Sequence, residues 1–173
     1  MRQSGFTIIE LVVVIAIVGL ISAVSFGPAL FRPKPLDAFV SQLSSLTASA
    51  RIDAILSKKL HRVFFDFNRS KISIQEAKSA STTTETPKFA PVVDAGISTS
   101  MTIDPVLKIT QLLIEGKNEL TGKKEAWFFI STSGTAQKIQ LSVENTETRQ
   151  RKTLDINPFI AYFAEHDETE KNK

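Results

Sequence analysis

The hydrophobic and polar positions divide this chain into an apolar N-terminal stretch and a longer segment of mixed polarity. No charged residue occurs from Leu11 to Phe31, and a helix of that length reaches roughly 30 Å, the thickness of the hydrocarbon core of a bilayer. Residues 6–31 are therefore predicted to form a transmembrane helix. Its start contains one carboxylate, Glu10. Because a charge at the centre of a membrane helix costs about 2.5–3.5 kcal/mol on insertion scales, we expect that carboxylate to have a function.

The next segment, residues 32–60, has apolar positions at steps of three and four, with polar residues mostly between them. That period is typical of an amphipathic helix, and its apolar face is expected to pack on the domain that follows. Pro28, Pro33 and Pro35 are expected to kink or interrupt the helical stretch, because proline removes a backbone donor and clashes with the preceding turn.

After residue 61 the apolar positions change to a period of two, which is typical of strands. Strands are predicted at residues 63–67, 71–75, 97–103, 106–114, 126–130, 138–143, 152–156 and 159–163. Residues 78–91 are rich in Ser and Thr and predict a loop, and the polar residues 115–125 predict a turn.

These elements predict an α+β fold class. A long N-terminal helix, transmembrane and then amphipathic and kinked near Pro28–Pro35, is expected to pack on an antiparallel β domain. That domain spans residues 61–164 with about seven or eight strands, and a charged tail follows at residues 165–173.

Length, cysteine content and net charge limit the functions that are possible for this chain. A length of 173 residues allows one modest globular domain beside the apolar segment. The chain has no cysteine, which excludes a disulfide framework and thiol chemistry. The formal net charge of +3 is small for this length and does not by itself argue for nucleic acid.

Candidate catalytic and metal-binding residues are few. His61 and His166 stand alone in the sequence, without nearby ligand spacing, and both are expected at the surface. No Gly-rich phosphate loop and no G-x-S-x-G sequence occurs, and the acidic residues of the tail lack the spacing of a calcium loop. We therefore expect neither an enzyme nor a bound cofactor or metal.

A small basic patch, Arg149, Arg151 and Lys152, is a further candidate. It is either a solvated strand edge or a weak binding patch, and nucleic acid is not the expected partner.

The run Gly5-Phe6-Thr7-Ile8-Ile9-Glu10, followed by about twenty apolar residues, resembles the class III signal sequence of type IV pilins and of the pseudopilins of type II secretion. This resemblance implies that a prepilin peptidase removes the leader, residues 1–5, by cutting between Gly5 and Phe6. The same enzyme, as an N-methyltransferase, would methylate the new amino terminus of Phe6. The carboxylate of Glu10 would then pair with the Phe6 amine of a neighbouring subunit and set the axial register of assembly, since a buried cation is costly unless paired.

Two alternatives concern this N-terminal segment. An ordinary secretory signal peptide could be cut near Ala23-Val24-Ser25, but Glu10 interrupts its apolar region and only Arg2 supplies a positive charge before it. Arg32 and Lys34 follow the segment, so the positive-inside rule alone would favour a cytoplasmic domain. The leader must, however, face a peptidase on the cytoplasmic side. We therefore expect a single-pass protein of the bacterial inner membrane with its C-terminal domain in the periplasm.

Two later segments, Ala48–Ile55 and Phe129–Thr135, are similar to those of H-type minor pseudopilins and FimT-like minor pilins. The position of Pro28, one residue later than the usual helix proline, is a departure from the family. The resemblance implies a β-sandwich-like pair of antiparallel sheets packed on the helix. It also implies a structural subunit near the tip of the pseudopilus of a type II protein secretion system, which helps initiate assembly or contacts the exported protein.

The partners implied are the prepilin peptidase, other major and minor pseudopilins, the inner-membrane secretion platform and an exported protein. The alternative is a FimT-like minor type IV pilin that acts in pilus assembly or in DNA binding and uptake.

Overall fold

A computed structural model describes residues 7–30, 34–78, 87–93 and 98–166 of the chain. The chain forms two compact units, Met1–Lys34 and Pro35–Lys173. The first contains one helix, and the second contains a helix and two β-sheets.

The helix of the first unit, α1, spans Ile8–Leu30. Thr7 caps its N-terminus, because the backbone N–H of Glu10 lies 3.1 Å from the Thr7 carbonyl oxygen and 3.3 Å from Thr7 Oγ1. Pro28 does not interrupt the helix, since helical backbone continues through it to Leu30. The predicted kink near Pro28–Pro35 stays a prediction. Among the described residues, no helix is both long enough and apolar enough to cross a membrane. The helix is thus confirmed, and its crossing of a membrane stays a prediction.

The helix of the second unit, α2, spans Pro35–Ser57. Proline is favoured at the first position of a helix, where its missing N–H costs no hydrogen bond. The helix ends before Lys58, whose φ of 55° is a left-handed conformation common at helix C-termini. Its buried apolar residues recur at steps of three and four, as predicted: Leu36, Phe39, Leu43, Leu46, Ala50 and Ala54.

Ten strands occur in the described part of the chain. They are β1 (His61–Asp66), β2 (Lys71–Ala77), β3 (Phe89–Pro91), β4 (Ser100–Thr102), β5 (Leu107–Ile114), β6 (Lys117–Asn118), β7 (Glu125–Ile130), β8 (Ile139–Asn145), β9 (Arg151–Asn157) and β10 (Tyr162–Glu165).

The strands form two antiparallel sheets. The first sheet has the order β3-β2-β1-β7, with β4 also paired to β2, and the second has the order β10-β9-β8-β5-β6. Helix α2 contacts strands of both sheets. Its apolar face, with the inward side chains of the strands, forms one core. Phe128 of β7 and Phe163 of β10 meet edge to face in that core, with their ring centroids 6.4 Å apart. The predicted α+β class and the packing of the amphipathic helix on the β domain are confirmed.

The type of secondary structure differs from the prediction in three places. β3 lies within residues 78–91, which were predicted as a loop, and it ends at Pro91 on the edge of its sheet, where a missing N–H is tolerated. β6 lies within the predicted turn 115–125 and pairs back onto β5. The last strand was predicted at 159–163, but Phe159–Ala161 is a turn and the strand begins at Tyr162.

Candidate functional site

The exposed surface of α1 is the first candidate site. Eleven large apolar side chains between Ile8 and Ile21 are 49% to 83% exposed. They occupy nearly every position of consecutive turns, so they surround the helix and do not form one stripe. A helix that is apolar on all sides requires apolar surroundings, either lipid or other helices.

Glu10 lies in the first turn of this helix and is exposed. A carboxylate there interacts favourably with the partial positive charge of the helix N-terminus. Within the described ranges, no hydrogen bond or ion pair involves its carboxylate. The predicted cleavage and methylation residues, Gly5 and Phe6, lie outside the described residues. Their roles, and the pairing role of Glu10, stay predictions.

Small residues interrupt the apolar surface of α1 at Ala16, Gly19 and Ser22. A methyl group placed on Gly19 would meet nothing within 4 Å. The hydroxyl of Ser22 donates to the carbonyl oxygen of Val18 at 2.8 Å, so its polar group is satisfied inside the helix. Such positions let another helix approach closely in lipid.

The basic patch is already partly neutralised by carboxylates. Lys152 Nζ lies 2.8 Å from Asp37 Oδ1 and also pairs with Glu165. The hydrogen bonds to these two side chains raise the pKa of Lys152. Arg149 lies 3.6 Å from Glu144, which also faces the exposed Arg151 across the β8–β9 pair. Two of the three cations of the patch, Lys152 and Arg149, therefore already have carboxylate partners.

His61 is the clearest error of the sequence analysis, because it was expected at the surface and is completely buried. It is the first residue of β1, and its side chain points inward with those of Val63 and Phe65. Its ring nitrogens contact the Lys59 carbonyl oxygen at 3.0 Å and Asp53 Oδ2 at 2.7 Å. The alternation of His61 with Val63 and Phe65 was the sequence signal that could have placed it in the core.

Arg62 is a second residue that the sequence analysis missed. On the outer face of the first sheet, its guanidinium lies over the rings of Phe89, Trp127 and Phe64 at 4.3, 5.1 and 5.2 Å from their centroids. Its Nε donates to Gln75 at 2.7 Å. Burial lowers the pKa of Arg62, and the charge of a neighbouring glutamate opposes that effect. The cluster ties three strands together by cation–π contacts.

The acidic and imidazole groups do not assemble into a metal site in the part of the chain that the structure describes, where no group of three or more possible ligands is close enough. His166 pairs only with Asp155 there.

Comparisons with known proteins bear on both units. Residues 1–26 match the prokaryotic N-terminal methylation motif. No curated protein matches the sequence. The fold is similar to that of the minor pseudopilin EpsH from the type 2 secretion system of Vibrio cholerae, with a TM-score of 0.57 and 12% identity over 79% of this chain and 100% of EpsH. A crystal structure of the same EpsH protein has a TM-score of 0.50 and 14% identity, over 75% of this chain and 88% of the other.

The N-terminal motif and the fold point in the same direction. The chain carries the methylation motif of prokaryotic prepilin-type proteins at residues 1–26, and an α+β domain follows it in the sequence. The fold is similar to that of a minor pseudopilin. The resemblance predicted from Gly5 to Glu10 is thereby confirmed.

Proposed function

We propose that this protein is a minor pseudopilin of a type II protein secretion system. It acts as a structural subunit near the tip of a periplasmic pseudopilus, where it helps initiate assembly or contacts the exported protein. The observation that carries the proposal is the methylation motif at residues 1–26 on a chain whose fold aligns over the whole length of EpsH. The proposed role is structural and involves no catalysis or cofactor.

The first step in this function is processing at the leader. A prepilin peptidase cuts between Gly5 and Phe6, and the same enzyme methylates the amino group of Phe6. The methylation motif supports this step. Helix α1 begins at Ile8, directly after the new N-terminus.

The second step is assembly through Glu10. Its carboxylate has no partner within the described part of the chain, and it lies at the start of a helix whose other side chains from Ile8 to Ile21 are apolar and exposed. A buried charge is costly unless it is paired. Pairing of Glu10 with the Phe6 amine of a neighbouring subunit neutralises both charges and selects one axial register.

The proposed cellular location of the protein is based on the apolar surface of α1. An all-round apolar helix after a prepilin motif is consistent with an anchor in the bacterial inner membrane, and we infer that the β domain lies in the periplasm. The partners in this proposal are other major and minor pseudopilins and the inner-membrane secretion platform.

The assembly role is tested with Glu10→Gln, which keeps the size of the side chain and removes its charge. We expect normal leader removal and a folded β domain, but crosslinking of the membrane-extracted protein to other pseudopilins that falls well below the wild-type level. Ser22→Ala is the matched control, because the hydroxyl of Ser22 bonds within its own helix. Wild-type incorporation of the Glu10→Gln chain into fibres would overturn the pairing role.

Three further measurements test the rest of the proposal. Gly5→Ala should block cleavage, and the mass of the membrane-extracted chain measures this. A variant that is processed normally would contradict cleavage by a prepilin peptidase. External protease should digest the β domain in spheroplasts, and a protected domain would contradict a periplasmic location. Mass spectrometry of crosslinked partners should identify secretion-system pseudopilins.

Recovery of pilus subunits in that experiment would instead support the FimT-like minor pilin. DNA binding by such a pilin would need available cations, and the ion pairs of Arg149 and Lys152 weigh against it. Binding that weakens steeply with salt and is lost on neutralising the basic patch would favour this alternative.

A further inference from the structure

Strand β7 ends the first sheet, and among the described strands only β1 pairs with it. Phe67, directly after β1, donates its N–H to the carbonyl oxygen of Lys124 at 3.0 Å. Hydrogen-bonded and non-bonded pairs alternate along an antiparallel ladder, so the even-numbered residues of β7 bond to β1. The backbone groups of Glu125, Trp127 and Phe129 therefore face the other side, which we call the open side of β7.

One of these three positions already has a partner. The side-chain Oε1 of Gln137 accepts a hydrogen bond from the N–H of Phe129 at 2.8 Å, and the N–H of Gln137 donates to the Phe129 carbonyl oxygen at 3.2 Å. Within the described ranges, no hydrogen bond involves the backbone N–H or carbonyl group of Glu125 or Trp127. These groups are left for water or for another strand.

The other sheet edges in the described part of the chain are protected. β10 lies against α2, where Ser44 donates to one of its carbonyl oxygens. β6 has two exposed residues, one of them Lys117, and β3 and β4 have three residues each, with Pro91 at the end of β3. Short strands, lysine and proline all disfavour strand addition. β7 is six residues long and contains one charged residue, Glu125, so it has none of these protections.

A groove of about 320 Å³ lies on the open side of β7. Its other walls are Ile114 at the end of β5 and the side chains of Glu119 and Lys123, which follow β6. Ligand clefts usually have volumes of about 300–1,000 Å³, so the groove is large enough to receive part of another molecule. The Trp127 side chain is 41% exposed, which leaves apolar surface for a side chain of that molecule.

The charges beside the groove favour a basic residue in its occupant. Glu119 already pairs with Lys123. Glu125 forms no ion pair among the described residues, and it is opposite Asp66 in the β1–β7 register. Two carboxylates side by side on one sheet are stabilised by a cation from the next strand. Because Glu125 and Trp127 are two residues apart on the same face, the matching strand has an apolar residue and a basic residue at that spacing.

We propose that the open side of β7 binds an extended segment of the exported protein by strand addition. This inference rests on the proposed function, in which the subunit contacts that protein. The open part of β7 is short, so the contact is small, and small contacts are typical of transient association and not of permanent subunits. Backbone hydrogen bonds give affinity for many sequences, and alternate side chains give selectivity.

A peptide titration of the full chain in detergent micelles tests strand addition. The probe is a short peptide of alternating valine and threonine with a lysine at each end, and the emission of Trp127, the chain's one tryptophan, reports binding. The control is the same peptide with methylated backbone nitrogens, which cannot donate hydrogen bonds. We expect the methylated peptide to bind at least about tenfold more weakly. Equal binding of the two peptides, or no binding of the unmethylated one, overturns the proposal.

Glu125→Pro removes a backbone N–H from the open side, and proline is tolerated at the first residue of an edge strand. Glu125→Ala is the matched control, because it loses the same carboxylate but keeps the N–H. We expect the proline variant to bind the peptide at least about tenfold more weakly than the alanine variant, and equal affinities contradict strand addition. Amide hydrogen exchange of the wild type needs no variant: the N–H of Trp127 should exchange slowly only with the peptide bound, and unchanged exchange refutes the proposal.

A photo-crosslinking amino acid at position 127 in secreting cells tests the source of the strand. We expect an adduct with an identified exported protein, and no such adduct from the same group at Lys117 on the β6 edge. An adduct with a second copy of this chain or with another pseudopilin overturns the assignment. Assembly with pilus subunits would refute the proposed function and this partner with it. Assembly with secretion pseudopilins but no peptide binding would refute strand addition alone.

Discussion

Replacement of Gly134 by alanine tests how closely the turn after β7 packs on α2. Gly134 has a φ of +81°, and a Cβ there would lie 2.6 Å from Ile55 Cδ1, 3.0 Å from Ile55 Cγ1 and 3.1 Å from Arg51 Cγ. The substitution therefore combines a left-handed backbone with a steric overlap against two side chains of one helix face. Gly116 offers a matched control, because its φ is +78° and nothing lies within 4 Å of an added Cβ.

The expected loss of free energy of unfolding is the sum of the backbone cost and the steric cost. A left-handed conformation costs a residue with a Cβ about 1–2 kcal/mol, and overpacking in a well-packed region costs about 1–3 kcal/mol. The terminal methyl of Ile55 can rotate away, but the Cγ atoms of Ile55 and Arg51 lie nearer the backbone and move less. We expect Gly134→Ala to lower the free energy of unfolding by about 2–5 kcal/mol and Gly116→Ala by about 1–2 kcal/mol.

Urea unfolding of the full chain in detergent, followed by the fluorescence of its one tryptophan, Trp127, measures both values. Adding Ile55→Ala to Gly134→Ala removes the closest contact, so the two changes should cost less together than their sum. Equal destabilisation by the Gly134 and Gly116 substitutions, or strict additivity with Ile55→Ala, would refute the proposed contact between the turn and α2.

Three other substitutions test contacts of the β domain. Arg62→Met should cost about 1–3 kcal/mol and shift the emission of Trp127, and unchanged fluorescence would contradict the cation–π contact. The raised pKa of Lys152 gives stability that is present below the ordinary lysine value and lost as the pH rises through the folded one, so unfolding of Lys152→Met should show a smaller loss at alkaline pH than the wild type. Ser44→Ala should cost about 1 kcal/mol in urea unfolding, because it removes the bond to the Phe163 carbonyl oxygen.

The sequence was sufficient to predict the elements whose buried positions recur with a regular period. The apolar steps of α2 predicted that helix and its buried face, and the change to strand-like patterns predicted the strands β1, β7 and β8. The short strands β3 and β6 were not predictable in this way. Their side chains are mostly exposed or half-buried, and pairing with a longer neighbour is what makes them strands.

The functional residues also differ in how far the sequence alone could identify them. The N-terminal motif is local, so the sequence alone was enough to single out Glu10. The partners of Lys152, Asp37 and Glu165, are 115 and 13 residues away along the chain. No local sequence pattern predicts these pairs. The buried position of His61 likewise depends on Asp53 of a different element.

The position of α2 beside β10 has a consequence for how copies of this protein can join. β10 is an edge strand of its sheet, and an edge strand is a template for strand addition from another molecule. Ser44 of α2 donates to the carbonyl oxygen of Phe163 in β10 at 3.2 Å and so occupies an acceptor on that strand. The helix therefore takes up one acceptor at an edge where strand addition from another molecule could otherwise begin, which disfavours aggregation through that position.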